Sequence, residues 1–394
     1  MKPGFHLRAL ALAFSTAFVA LFTQVLVHRL VMAKLVNNFA FLVISLTMLG
    51  FAISGVVLSR WREPIFENQG RVVVLSAMIF AVTLLGSCAL FCGAPAQDWA
   101  ASRPEFVRSY FALMPWALLF ALPFSGCGLV LGLLLARPDL PTRQIYFADL
   151  SGSALGAFAV LPAIRDLGVE RSLILACVIM LGAALAFAPR GRLEWTLALL
   201  AGAFIAWAAA DPSRVFHMVY PAGSILAQAT APGSGSQIEH VAWDPLSRIE
   251  VTRIQPPDPE RFALPSLIGD DRAFLSRFRR LLTQNNNAFT YAVDYDGQPG
   301  SLRGIEQTIY AAAYQVQSAG PPRVLIIGVG GGFDVLNALY FGAAEVTGVE
   351  VNGATVGILT RTYHDYFRAW VEDPRFRLVQ GEGRQFLASH PQRF

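Results

Sequence analysis

Charge is what this 394-residue chain most lacks: Asp, Glu, Lys and Arg make up 15% of it, against about 25% in soluble domains. With 54% hydrophobic residues beside that deficit, a disordered, fibrous or wholly soluble chain is excluded. Cysteine is scarce as well. Cys88, Cys92, Cys127 and Cys177 all fall in apolar stretches without a C-x-x-C spacing, so they read as small buried hydrophobes. The six histidines stand apart from one another, and neither H-E-x-x-H nor H-x-E occurs, so no protein-ligated metal is expected. Net charge is only +4, with arginines scattered through short loops instead of gathered in a stripe, and no nucleic acid is expected as a partner.

What is present is apolar sequence, concentrated before position 211. Segments 9–27, 39–59, 72–92 and 109–136 are uncharged and long enough to span, since a helix needs about 20 residues to cross ~30 Å of hydrocarbon. The first is too long, and too poor in a small-residue cleavage site, for a removed signal peptide. Segments 172–189 and 195–210 are shorter. Segment 144–164 differs in carrying Asp149 ahead of the small-residue run Ser151-Gly152-Ser153-Ala154-Leu155-Gly156. Small residues every three or four positions let helices approach closely. An intramembrane acid invites a substrate or proton role, and its place near the segment's start invites an interfacial one.

Orientation is open at this level. With seven spans and an inside N-terminus, Lys2, Arg8, Arg60, Arg62, Arg71, Arg137, Arg143, Arg190 and Arg192 face the cytoplasm. Arg29, Lys34, Arg103, Arg108, Arg165 and Arg171 then lie outside, with the C-terminal region. If segment 144–164 is re-entrant, Arg165 and Arg171 exchange sides with Arg190 and Arg192, the bias is unchanged, and the C-terminal region moves inside.

Composition shifts after Asp211. Residues 213–243, including the Gly/Ser/Pro-rich stretch from Ala227 to Gln237, read as a linker. Alternation from Arg248 to Ile254 predicts a strand, Asp270 to Leu282 a helix, the asparagines 285–287 a turn, Phe289 to Val293 a second strand, and Arg303 to Gln317 a helix. Residues 324–327 then form a buried strand running into Gly328, Gly330 and Gly332, followed by a helix from Asp334 to Phe341 and a strand ending at Glu350. A glycine turn between strand and helix lets backbone approach a ligand, and an acid at the tip of the next strand can hold two ribose hydroxyls. Phe333 occupies the third glycine position of a dinucleotide fingerprint, which argues against a pyrophosphate. Glu382, after the strand Phe376 to Gln380, suits an adenine amino group. The three landmarks in order match an S-adenosylmethionine-type site.

Residues 244–394 resemble the spermidine synthase (aminopropyltransferase) family of the methyltransferase-like Rossmann superfamily. The matching pieces are Pro245-Leu246-Ser247-Arg248-Ile249, the run from Val324 to Gly332, Glu345 to Glu350, Asp373 to Leu378 and Gly381 to Arg384. The segment Tyr146 to Gly156 is similar to the multi-span region fused to many bacterial members. The implied architecture is a polytopic helical membrane domain (1–212, six or seven helices), the linker 213–243, an N-terminal β-region and helix (244–322), and an incomplete α/β Rossmann-like domain (323–394). The sequence departs from the family at Gly331, where an acid is usual, and Asp334 is read either as a ligand contact or as a helix cap. Tyr310-Ala311-Ala312 aligns with a Tyr-His-Glu substrate motif, leaving Tyr310 as substrate contact or packing. The family's catalytic aspartate follows a fourth parallel strand beyond Phe394, so a truncated chain is expected and no catalytic residue is named.

The resemblance implies transfer of an aminopropyl group from decarboxylated S-adenosylmethionine to a small-molecule amine, without metal, at a bacterial inner membrane. The lipid bilayer is then a partner, a homodimer is the family habit, and a cytosolic co-substrate favours a cytoplasmic soluble domain. Two other functions stay open: an S-adenosylmethionine-dependent methyltransferase with a membrane-linked acceptor, and a transporter or sensor that merely binds a nucleoside.

Overall fold

A computed structural model describes residues 3–35, 40–95, 103–187, 191–255, 269–286, 288–316 and 320–390. The chain divides into two compact units, Met1–Pro221 and Ala222–Phe394.

The first unit is helical: α1 (Pro3–Lys34), α2 (Ala40–Arg60), α3 (Gln69–Gly93), α4 (Arg103–Leu135), α5 (Thr142–Phe187) and α6 (Arg192–Ala210). Among the described residues five of these are long and apolar enough to cross a membrane, and a shorter apolar stretch covers Thr47–Arg60 of α2. The 46-residue α5 is two helices. Gly168, at φ 79° and ψ 170°, breaks it. Ser172 Oγ donates to Gly168 O at 2.6 Å and lies 3.3 Å from Ala163 O. In a straight helix rising about 1.5 Å per residue, positions 163 and 172 stand roughly 13 Å apart along the axis, so the chain reverses at Gly168.

One end of this bundle gathers the start of α1, where Phe5 meets both Phe187 (5.5 Å) and the Arg137 guanidinium (4.8 Å). There too Arg71 pairs with Glu194 at 3.4 Å. The other end gathers Lys34, whose buried Nζ donates to the carbonyls of Phe91, Cys92 and Ala94 at 2.5, 2.8 and 2.6 Å. A cation there satisfies the C-terminal carbonyls of α3 and complements its dipole. Beyond α6, Val219 N donates to Cys92 O at the same end. Segment 144–164 is therefore one continuous helix of the bundle, ending at the break at Gly168.

The small-residue run does what its spacing suggests. A Cβ on Gly152 or Gly156 would collide with the carbonyl oxygen of Phe14 or Phe18, so α1 and the first half of α5 touch backbone to backbone. All four cysteines are buried.

The second unit holds two sheets. Strands β1 (Gln237–Trp243), β2 (Arg248–Arg253), β3 (Phe278–Gln284) and β4 (Ala288–Val293) form an antiparallel sheet in that order. Strands β5 (Arg323–Ile327), β6 (Glu345–Glu350) and β7 (Phe376–Gln380) form a parallel sheet, also in sequence order. Helix α7 (Phe333–Tyr340) connects β5 to β6; α8 (Gly353–Gly357), a π-turn and α9 (His364–Val371) connect β6 to β7; α10 (Gly383–Ser389) follows. An aromatic cluster fills the core: Phe278 lies edge-on to Phe274 (5.2 Å) and Tyr291 (4.7 Å) and packs on Phe333 (5.7 Å). The side chain that displaces the third fingerprint glycine is thus a core residue, 3% exposed.

Three expectations need correction. Residues 213–243 are not an unstructured linker: two short helices, Ser213–Phe216 and Ile225–Ala229, and the whole of β1 lie within them. The helix expected over Asp270 to Leu282 is one turn, Arg272–Leu275, followed by β3. Its apolar positions 274, 275, 278, 281 and 282 have helical spacing, but β3 lies between β2 and β4 with Leu281, Leu282 and Thr283 all buried, so tertiary pairing overrides the local period. Over 303–316 there are short 3₁₀ turns and the single helical turn Ala312–Gln315 instead of one helix; Gln317 lies outside the described residues, as do Asn287 and the prolines after Gln255.

Candidate functional site

The turn after β5 is built from alternating left-handed glycines: Gly328, Gly330 and Gly332 have φ of 87°, 53° and 84°, which other L-residues rarely adopt. Gly328 N donates to Val349 O at 2.8 Å, tying the turn's start to the end of β6. At the tip of β6, Glu350 is 6% exposed and its two oxygens divide their work. Oε2 accepts from Gly330 N at 3.1 Å, and Oε1 from Asn352 N at 2.8 Å. A carboxylate offers about four acceptor positions, so roughly two remain for an incoming pair of hydroxyls. The local arrangement fits a ribose.

The antiparallel sheet supplies the opposite wall. An open cavity of about 260 Å³ is lined by Gly328, Gly330, Glu350, Val351 and Thr355 on one side and Ile249, Leu282, Thr283, Gln284, Phe289 and Thr290 on the other. That is just under the roughly 300–1,000 Å³ of small-molecule pockets. Its walls are apolar with a few hydroxyls, one amide and one carboxylate. Glu250, fully buried below Thr283, accepts from Thr283 Oγ1 at 2.9 Å and pairs with Arg248 at 3.3 Å, which fixes that wall.

Gly328, Gly330 and Glu350 therefore meet at one cavity; the other expected residues do not line it. Gly332 is the N-cap of α7, and a Cβ there would enter the ring of Trp370, so its need for glycine is steric and internal. Asp334 lies in the first turn of α7 but caps nothing. Burial raises its pKa above the ordinary carboxylate range, and burial first, with the Asp334 charge second, pushes up the phenols of Tyr310 and Tyr314. Tyr310 sits edge-on against Phe333 at 4.9 Å, a packing role. Glu382 Oε2 accepts from Gln385 N at 2.8 Å and Oε1 from Arg384 at 3.3 Å, so its carboxylate caps α10; that backbone bond, first, lowers its pKa. In the membrane unit Asp149 is half-buried in the second turn of α5, with no hydrogen bond or ion pair among the described residues.

Residues missed by the sequence reading are those joining the two sheets. Asn352 caps α8 through Ala354 N and Thr355 N, and its Nδ2 donates to Ser247 Oγ at 2.6 Å. Gly353 N donates to Asp244 Oδ2 at 3.0 Å. An asparagine directly after a strand is a cap signal, so Asn352 was findable. Thr290, against which a Gly330 Cβ would stand 2.8 Å from Cγ2, has no local signature. A scan of protein-family models matches none to this chain, and no curated protein matches it either.

Proposed function

We propose that the second unit is a Rossmann-like nucleoside-binding module that takes an S-adenosyl compound, and that the chain is a membrane-anchored transferase of the aminopropyltransferase kind. One observation carries the reading: a buried acid at the tip of β6 and left-handed glycines at the tip of β5 share a cavity and are hydrogen-bonded to each other. Glu350 holds the ribose hydroxyls and Gly328 gives the nucleoside its close approach. Decarboxylated S-adenosylmethionine, when bound, supplies a carbon activated by its sulfonium. A deprotonated amine attacks that carbon, the C–S bond breaks, and methylthioadenosine leaves with the sulfur's electron pair. This chain's residues contribute by holding the donor in line and excluding water.

Methyl transfer to a membrane-linked acceptor is a second reading. It is favoured by Glu350 being the cavity's one carboxylate among the described residues, with no second acid of theirs to receive a cationic amine. Calorimetric titration of the detergent-purified chain with decarboxylated S-adenosylmethionine, S-adenosylmethionine, methylthioadenosine and NAD tests both. Preference for the first compound supports aminopropyl transfer and for the second methyl transfer. Thr290→Arg, which fills the cavity, abolishes either signal. Heat from NAD alone, or from none of the four, removes the reading.

A further inference from the structure

The membrane-spanning unit carries a groove that the nucleoside reading leaves unused. Between the opening turns of α1 and α5 lies a cavity of about 1150 Å³. Leu7, Leu10 and Phe14 form one wall and Phe147 the other, with Arg143 and Gln144 at the mouth. Positions 7, 10 and 14 follow one face of α1, so the trough runs about 10 Å along the bundle from its end. That exceeds the roughly 300–1,000 Å³ of pockets built for compact ligands, and its shape is a polar mouth above an apolar channel.

Charge decides the occupant. Arg143 makes no ion pair or hydrogen bond among the described residues. The nearby Arg137 is engaged by Asp139, Gln69 and the Phe5 ring, so Asp139 is not available to neutralise the mouth. Asp149, the other acid on this stretch, is absent from the groove lining and lies about 140° around the helix from Gln144. Arg8 is a second exposed cation on α1, next to Leu7 but outside the groove lining. Arg143 is thus the only charge lining the groove among the described residues, at a bundle end that bears Arg60, Arg62, Arg71 and Arg192 beside Glu63, Glu67 and Glu194. Basic pockets between membrane helices at such an end take anionic headgroups.

We infer that this groove binds an anionic phospholipid, with the headgroup phosphate on Arg143 and an acyl chain along Leu7, Leu10, Phe14 and Phe147. Native mass spectrometry of the full chain, incubated in detergent with phosphatidylglycerol, phosphatidylcholine or inorganic phosphate, tests it. Phosphatidylglycerol is expected to be retained through detergent exchange, and Arg143→Gln to weaken retention about fivefold, the weight of one near-surface cation on a lipid phosphate. Ala11→Trp, which fills the channel from an exposed position, lowers retention while Arg143 stays in place. Equal retention of the two lipids, or no change in Arg143→Gln, overturns the inference. So does inorganic phosphate competing off phosphatidylglycerol at equal concentration, which would mean an anion site without a lipid channel. The nucleoside titrations are unaffected by any of these outcomes.

Discussion

Glu350 has two possible jobs, ligand contact and support of the glycine turn, and replacing it tests the second directly. Alanine at 350 removes the acceptor for Gly330 N (3.1 Å) and Asn352 N (2.8 Å) at a site 6% exposed. A hydrogen bond to a charged group contributes about 1.5–3 kcal/mol, and a buried donor left without a partner costs about 1–3 kcal/mol. Two such bonds bracket ~3–6 kcal/mol. The adjoining cavity admits water to the freed donors, which brings the expected local loss to the low end, ~3 kcal/mol, or roughly a hundredfold in opening.

Hydrogen exchange read by mass spectrometry on peptides covering 328–332 and 350–353 measures that opening. Glu350→Ala is expected to speed exchange about a hundredfold in both peptides. Glu350→Gln keeps one acceptor oxygen but turns an amide donor toward the other backbone N–H, so one peptide opens and the other stays protected. Phe289→Ala widens the cavity wall without touching either bond, and should weaken nucleoside binding with exchange unchanged. Exchange that moves less than threefold in Glu350→Ala would refute the supporting role and leave Glu350 as a ligand contact alone.

Gly332→Ala should be poorly tolerated, because a left-handed φ costs roughly 1–2 kcal/mol for an L-residue and the methyl also meets the Trp370 ring. Gly342→Asn, at φ 74° with nothing within 4 Å, should stay near wild type when both are compared by thermal unfolding. Asp334 has its pKa raised by burial, so the folded state keeps a proton the unfolded state releases, and stability falls as pH rises from about 3.8 through the folded value. Asp334→Asn should therefore melt higher than wild type at pH 7 and the same at pH 3; a lower melting point at pH 7 refutes the assignment. Asp373 runs the opposite way: its bond to Arg375 lowers its pKa, its contribution is lost only as pH falls below the ordinary carboxylate value, and Asp373→Asn should flatten that acid limb. An alkaline phosphatase fused after Asp211 should be active if each of the seven apolar segments crosses and the arginine-rich end is cytoplasmic; activity of a cytoplasm-only reporter there would refute that pairing.

The strand–glycine–helix–strand unit from β5 to β6 was legible within a residue or so, because a buried four-residue apolar run, a left-handed turn and an acid at a strand tip are all local patterns. So was the backbone packing at Gly152 and Gly156, where small residues recur at helical spacing. Tertiary choices were not legible. Nothing in the sequence says that positions 278–282 lie mid-sheet instead of on a helix face. Nothing local distinguishes Gly332, which makes room for Trp370, from Gly328, which opens on the cavity. Glu382 had the right place in the order of landmarks, yet its carboxylate is held by the helix that follows it. A cap and a ligand contact look alike until the helix N-terminus is placed.

Gly168 settles more about this protein than any acid in its membrane unit. Had segment 144–164 folded back on itself, the arginine-rich end and the C-terminal unit could both have faced the cytoplasm. A reversal at Gly168 turns the chain back along the bundle, so the start of α1 and the end of α6 lie at its opposite ends. By the positive-inside rule alone, nine cations against six would set the start of α1 on the cytoplasmic side. That orientation would leave the end of α6 on the other side, away from a cytosolic S-adenosyl donor. Orientation and nucleoside chemistry thus constrain each other. If the phosphatase fusion is active and the chain still binds an S-adenosyl compound, the donor must be delivered across the membrane, and the seven-helix unit becomes the first place to look for its path. If the fusion is inactive, either one apolar segment does not cross or the charge bias is overridden, and the soluble unit shares the donor's compartment.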